Sequence, residues 1–139
     1  MSRSLLYRLF GLGKIPAPLR ARLETEGVLF IEEGVRGSAT FRNFRSPHRR
    51  SNWRRTWYPS SLVLTRERVL ALAYSSPVID VPLKDGRLRR MKFTLEEGGR
   101  LAVGFDASLF HDDWSGGIEY RFRTPHAVRF LELLRAALR

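Results

Sequence analysis

Apolar and polar residues alternate along most of the chain after Val28, in short runs separated by Gly, Pro, Ser and charged clusters. This two-residue period is typical of β-strands. The runs predict strands at 28–33, 37–45, 57–65, 68–75, 77–83, 88–95, 100–106 and 117–123. In the last of them Ile118, Tyr120 and Phe122 face one side and charged residues the other. Such a pattern suits an antiparallel sheet with one face in water.

Two short turns predict that neighbouring strands pair as hairpins. Residues 65–68 separate two apolar runs, and the Gly-Gly pair at 98–99 follows a strand in which Met91, Phe93 and Leu95 are expected to face the core. Short connections of this kind join antiparallel neighbours. The chain is therefore predicted to follow a meander.

The last part of the chain changes to a helical period. Thr124 is a favourable N-cap residue, and Pro125 suits the first helical position. The apolar stripe that follows consists of Ala127, Phe130, Leu131, Leu134 and Leu138. A helix with one apolar stripe must bury it against the sheet. The predicted fold class is therefore α+β, with about seven antiparallel strands capped by a C-terminal helix.

Residues 1–26 are predicted to form a helical extension ahead of a domain at 27–139. Its apolar stripe consists of Leu5, Leu6, Leu9 and Phe10. That stripe predicts either a helix docked on the domain or a membrane-surface anchor helped by Arg3 and Arg8. A second short helix is predicted at 17–24. A signal peptide is not expected because Arg8 interrupts the apolar run, and no run reaches the ~18 residues of a membrane span.

Length and composition limit the classes of protein that the chain can represent. It has 139 residues, 43% of them hydrophobic, which is enough for one core without disulfides. The absence of cysteine from the sequence excludes thiol nucleophiles and thiolate zinc sites and fits a reducing compartment. We expect a cytoplasmic protein, with a peripheral position on the inner face of the membrane as the alternative location.

The net charge is +11, from 25 Lys and Arg against 14 Asp and Glu, which favours acidic partners. All the basic residues except Lys14, Lys84 and Lys92 are Arg, a bias that genome composition can also produce. The distribution is more informative than the total, because residues 36–58 contain seven arginines and no acid. Most of the excess charge is therefore local.

The strongest candidate site is this arginine-rich segment, which also contains aromatic residues. Between the strands predicted at 37–45 and 57–65 it is expected to form a long loop marked by Pro47. The candidate binding residues are Arg42, Arg45, Arg49, Arg50, Arg54, Arg55, Trp53 and Trp57. Guanidinium groups match phosphate oxygens, and Trp can lie at a lipid headgroup boundary or stack on a base. Three interpretations remain open: a solvated loop, a surface for an anionic membrane or acidic protein, and a nucleic-acid surface.

Several segments together resemble the pleckstrin-homology-like superfold, especially its bacterial and GRAM-type members, over residues 27–138. They are the hairpin SLVLTRERVLA at 61–71, PVIDVPL at 77–83, and YRFRTP at 120–125. The resemblance implies a split β-barrel of two near-orthogonal sheets that the last helix plugs at one end. It also implies a module for membrane targeting or protein docking.

Two positions depart from the familiar members of that superfold. Phe130 is the only aromatic residue of the last helix, where those members carry Trp. Glu32 and Glu33 stand where the phosphoinositide motif places Lys. Recognition of a specific inositol phosphate is therefore not expected.

No pattern in the sequence favours catalysis. Residues 11–14 lack the Gly and Ser or Thr that a phosphate loop needs at the flanking positions. His111, Asp112 and Asp113 precede a Gly-rich turn, and turn chemistry accounts for them without a metal. We expect a noncatalytic binding module with no cofactor and no metal. Nucleic-acid binding is the alternative function, and a hydrolase with an unrecognised site would need a deep polar pocket.

Overall fold

Seven antiparallel strands form one continuous sheet in the computed structural model, which describes residues 14–139. The strands are β1 (Val28–Ser46), β2 (Arg49–Thr65), β3 (Arg68–Ala73), β4 (Ser76–Pro82), β5 (Lys92–Glu96), β6 (Arg100–Asp106) and β7 (Ser115–Arg123). The helices are α1 (Ala17–Glu26) and α2 (Ala127–Ala137), with short 3-10 turns at Gly86–Arg90 and Ala107–Leu109. The predicted stripe Leu5, Leu6, Leu9 and Phe10 lies outside the described residues.

The strand order is β4-β3-β2-β1-β7-β6-β5, so β4 and β5 form the two edges. No pairing joins these edges within residues 14–139, and the sheet is not closed into a barrel. Both predicted hairpins are confirmed, since β2 pairs with β3 and β5 pairs with β6. The predicted meander is present only within β1–β4 and within β5–β7. The central connection is different, because β1 pairs with β2 on one side and with β7 on the other.

The predicted long loop within residues 36–58 is wrong. This segment is the arm of a β-hairpin, in which β1 and β2 stay in register from Val35↔Ser60 to Ser46↔Arg49. Only residues 47–48 form the turn. The sequence looks like a loop because polar residues dominate the first half of β2, residues 49–56, where that strand is paired with β1 and not yet with β3.

Other boundaries also differ from the sequence prediction. The expected strands 28–33 and 37–45 are one strand, bent where Gly34 adopts a positive φ of 72° and the register with β2 shifts. Residues 88–90 form part of a 3-10 turn, and β5 begins only at Lys92. On this edge strand Leu95 is 44% exposed, so it does not join the core as predicted.

The main core lies on one face of the sheet, the inner face, and α2 covers part of it. Phe130 of α2 is fully buried and meets Phe30 of β1 edge to face at 5.3 Å between ring centroids. Phe122 of β7 is buried in the same cluster.

The helix begins at Ala127, and Thr124 is not its N-cap: the Thr124 hydroxyl accepts from the His126 backbone N–H and donates to Glu32.

A second, smaller core lies on the outer face of the sheet under α1. Ile15 and Leu23 pack there against Val63, Leu70 and Leu72 of β2 and β3. Apolar residues on both faces of β2 and β3 explain why the sequence is almost continuously apolar at 62–64 and 69–72. The predicted helix at 17–24 is confirmed and packs against the sheet.

The buried carboxylate of Glu33 holds α1 in place. It accepts from the Ile15 backbone N–H at 2.8 Å and from Arg20 Nη2 at 2.7 Å. At the other end of α1, Glu26 accepts from Arg68 Nε at 3.0 Å. The glutamate at position 33 therefore has a structural partner in α1.

A bulge in β1 requires glycine on the neighbouring strand. Asn43 has a positive φ of 50°, and Gly116 opposite it has a φ of 101°. A Cβ atom on Gly116 would lie 2.5 Å from the carbonyl oxygen of Asn43. We predict that Gly116→Ala lowers the free energy of unfolding by about 2 kcal/mol or more in urea denaturation. Gly117→Ala is the matched control, because nothing lies within 4 Å of the added carbon.

Two buried tyrosines make stability sensitive to alkaline pH. Burial raises the pKa of Tyr120 to about 12, and burial, with a smaller contribution from Tyr120, raises the pKa of Tyr58 as well. The folded state therefore keeps protons that the unfolded state loses above its ordinary pKa near 10. We predict that stability falls as pH rises above about 10.

The Tyr58 hydroxyl is also buried without a hydrogen-bond partner among the described residues. Tyr58→Phe should therefore cost no stability near neutral pH and should reduce the alkaline loss. Thr65→Val is the control, since its hydroxyl donates to Glu26 at 2.9 Å and its loss should cost about 1–2 kcal/mol. A clear destabilisation by Tyr58→Phe would contradict this interpretation of the hydroxyl.

Candidate functional site

The candidate residues all lie on the β1–β2 hairpin, on paired strands whose register fixes their neighbours. Arg42 is opposite Trp53, and Arg45 is opposite Arg50. Arg54 is opposite Phe41, whose side chain packs against the main core. Because opposite residues share a face, Arg54 lies on the inner-face side of the arm and is separated from Arg42 and Trp53.

The structure brings four of the predicted residues together on the outer face. They are Arg42, Trp53, Arg55 and Trp57, at alternate positions of β1 and β2. The other arginines, Arg45, Arg49 and Arg50, lie around the tip of the hairpin. The predicted set is therefore divided between one face of the arm, its opposite face and its tip.

Trp53, Arg55 and Trp57 form a tryptophan–arginine ladder along β2. The guanidinium carbon of Arg55 lies 5.4 Å from the ring centroid of Trp53 and 5.8 Å from that of Trp57. Arg55 Nε also donates to the Thr40 hydroxyl at 2.9 Å, which fixes the position of the guanidinium. Cation–π contacts of this geometry order the three side chains without removing the positive charge.

Both indole rings of the ladder remain in water. Trp53 is 59% exposed and Trp57 is 55% exposed, which is unusual for residues that normally bury most of their area. A sheet supports them from below, so their exposure does not depend on a mobile loop. Trp114, by contrast, is half-buried and stacks on His111 at 3.7 Å between ring centroids.

Beside Trp57 the outer face contains a hollow, which we call the arginine cleft. Its volume is about 110 Å³, and its floor is formed by Gly37 and Ser38 of β1. Five arginines from four strands surround it: Arg36, Arg55, Arg100, Arg121 and Arg123. Ser38 is directly opposite both Trp57 and Arg121, so the small serine leaves room between two large side chains.

Sequence reasoning did not include Arg36, Arg100, Arg121 and Arg123 among the site residues. The alternation of β7 was a usable signal for Arg121 and Arg123, since it assigned them to the polar face of that strand. Their meeting with the hairpin depends on the pairing of β1 with β7, and Arg100 joins them because it is opposite Arg123. These pairings join strands that are distant in sequence.

Two glutamates position Arg121 at the bottom of the cleft. Arg121 Nε donates to Glu96 at 2.9 Å, and Arg121 Nη2 lies 3.2 Å from Glu119. The hydrogen bonds to Glu96, more than any other contact, raise the pKa of the guanidinium, which stays charged. Glu119 also pairs with Arg42 at 3.0 Å.

Within residues 14–139 no three His, Asp or Glu side chains come together as metal ligands. His111 and its two neighbouring aspartates lie at a turn, as predicted. A second cavity, of about 230 Å³, opens on the inner face and is lined mainly by apolar residues such as Met91, Phe105 and Phe110.

No protein-family model matches the chain, and no curated protein is significantly similar to it. In residues 14–139 no helix has both the length and the apolar character that a membrane crossing requires.

The ladder geometry predicts an asymmetric response to charged fluorescence quenchers. Iodide should quench the tryptophan fluorescence more strongly than caesium, because Trp53 and Trp57 are exposed in a positive field. The double variant Trp53→Phe with Trp57→Phe retains only Trp114 and should lose most of the asymmetry. Equal quenching by both ions in the wild type would contradict the proposed surface potential.

Proposed function

We propose that this protein is a noncatalytic binding module of pleckstrin-homology-like fold that docks on anionic membrane surfaces through the β1–β2 hairpin. The fold part of the proposal is supported by the resemblance over residues 27–138 and by the strand order, in which the meanders β1–β4 and β5–β7 meet at β1 and β7 and one packed helix follows.

The exposed ladder is the observation that carries the functional proposal. Two tryptophans that are more than half exposed cost free energy in water, and large exposed aromatic groups often mark a contact surface. Trp is also the residue that best suits the boundary between lipid headgroups and acyl chains. The guanidinium of Arg55 between the two rings is available to a lipid phosphate.

The charge of the arm supplies long-range attraction. Of the seven arginines in residues 36–58, only Arg42 forms an ion pair with a described residue. Arginines near an anionic bilayer contribute about 1 kcal/mol each, and the contribution decays with salt over the Debye length. The protein would first concentrate near the surface by charge and then insert Trp53 or Trp57 to a shallow depth.

An anionic bilayer fits these features better than an acidic protein does, because exposed indole rings beside unpaired arginines suit the headgroup boundary of a membrane. Nucleic acid is the other class of ligand that exposed tryptophans on a sheet can stack on. Filter binding with single-stranded and duplex probes distinguishes nucleic-acid binding from membrane binding.

We predict that the arm determines binding to phosphatidylserine vesicles in a co-sedimentation assay. Replacing Arg49, Arg50 and Arg54 by Ser removes three charges worth about 3 kcal/mol in total and should weaken binding about 100-fold. The wild type should bind phosphatidylcholine vesicles poorly and should dissociate from anionic vesicles at high salt.

The matched control removes the same number of charges from another exposed surface, formed by the helix α2 and residue 139 just after it. Arg129→Ser, Arg135→Ser and Arg139→Ser together should change vesicle affinity far less than the hairpin variant does. Equal losses of vesicle affinity in the two triple variants would show that the attraction depends only on the net charge of the protein. Saturable binding to nucleic acid near physiological salt, without vesicle binding, would favour the alternative class.

A further inference from the structure

Two polar atoms at the arginine cleft are buried without partners. The Ser38 hydroxyl and Arg121 Nη1 have no hydrogen-bond partner among the described residues, and Ser38 is only 1% exposed. Unpaired buried donors are rare because each one loses its hydrogen bonds to water. Both side chains line the same cavity and are opposite one another on β1 and β7. They therefore mark a position where an acceptor group would be stabilised.

The charges around the cavity also indicate a site for a negatively charged acceptor. Arg121 is neutralised by Glu96 and Glu119, whereas the other four arginines of the cleft form no ion pair within residues 14–139. Like charges that converge on one hollow repel one another unless an anion joins them. An anion with several acceptor atoms would relieve this repulsion and satisfy both buried donors.

We propose that the arginine cleft binds a phosphate group. The donors come from β1, β2, β6 and β7, and therefore approach the cavity from several directions. A tetrahedral dianion can accept from all of these directions, whereas a planar carboxylate is satisfied by one guanidinium fork. The small residues of the floor allow the anion to approach the sheet, and Trp57 forms one wall.

This site goes beyond the proposed membrane docking and does not depend on it. Arg100 and Arg123 belong to β6 and β7, outside the hairpin, while the tip arginines do not line the cleft. The phosphate could belong to a soluble molecule or to the phosphomonoester headgroup of a lipid. Both sources present the same chemistry to the cleft.

The test is calorimetric titration of the full chain with inorganic phosphate in a buffer of low chloride. We expect saturable binding with one phosphate per chain. Arg100→Gln and Arg123→Gln should each weaken it about 10- to 100-fold, because each removes a charge-assisted hydrogen bond from an exposed side chain that the fold does not need. Arg129→Gln on α2 is the matched control and should leave the affinity unchanged.

A variant that removes a negative charge should have the opposite effect on phosphate affinity, which makes the test stricter. Glu119→Gln removes a negative charge beside Arg121 and should tighten phosphate binding, whereas a merely structural role of this network would not. No saturable binding at millimolar phosphate, or equal affinity in wild type, Arg100→Gln and Arg123→Gln, would overturn the proposal.

Vesicles distinguish the two sources of phosphate. A preference for phosphatidic acid over phosphatidylserine that inorganic phosphate abolishes, and that Arg123→Gln lacks, would assign the cleft to a lipid phosphomonoester. Phosphate binding without that preference would assign it to a soluble phosphate compound. Loss of vesicle binding in the variant with Arg49, Arg50 and Arg54 replaced, with phosphate binding intact, would leave the cleft proposal in place, so the two proposals can be refuted separately.

Discussion

The pairing of β1 with β2 on one side and with β7 on the other is the constraint on which the remaining structure depends. It joins β1–β4 and β5–β7 into one sheet and places Ser38 between Trp57 and Arg121. A slip of one residue in either pairing would turn those side chains to the inner face. The bulge at Asn43 and the glycine at 116 accommodate the shift in the β1–β7 register near the tip of the hairpin.

The outer face of the sheet has two regions of different chemical character. Over β2 and β3 that face is apolar and lies beneath α1, which Glu33 attaches through Ile15 and Arg20. Along the arm and over β7 and β6 the same face carries arginines and exposed tryptophans, with no helix over it among the described residues. The division follows from the residues at alternate positions of β2, which change from Val63 to Trp57 and Trp53 along a single strand.

The sequence was informative wherever one period covered a whole element. The alternation of Ile118, Tyr120 and Phe122 and the stripe of α2 predicted a strand and a helix that the structure contains. It failed in the first half of β2, where arginines and other polar residues leave no clear two-residue period, and at Pro47, which marks a short turn. The arginine cleft was inaccessible to such reasoning, because it is assembled by pairings between strands that are far apart in the chain.

The most direct measurement of the central claim is an NMR titration of the labelled full chain with anionic bicelles. The account predicts that shift changes concentrate on the indole signals of Trp53 and Trp57, while Val63 and Leu70 under α1 remain unchanged. Changes spread evenly over the molecule, or centred on the apolar cavity of the inner face, would contradict it.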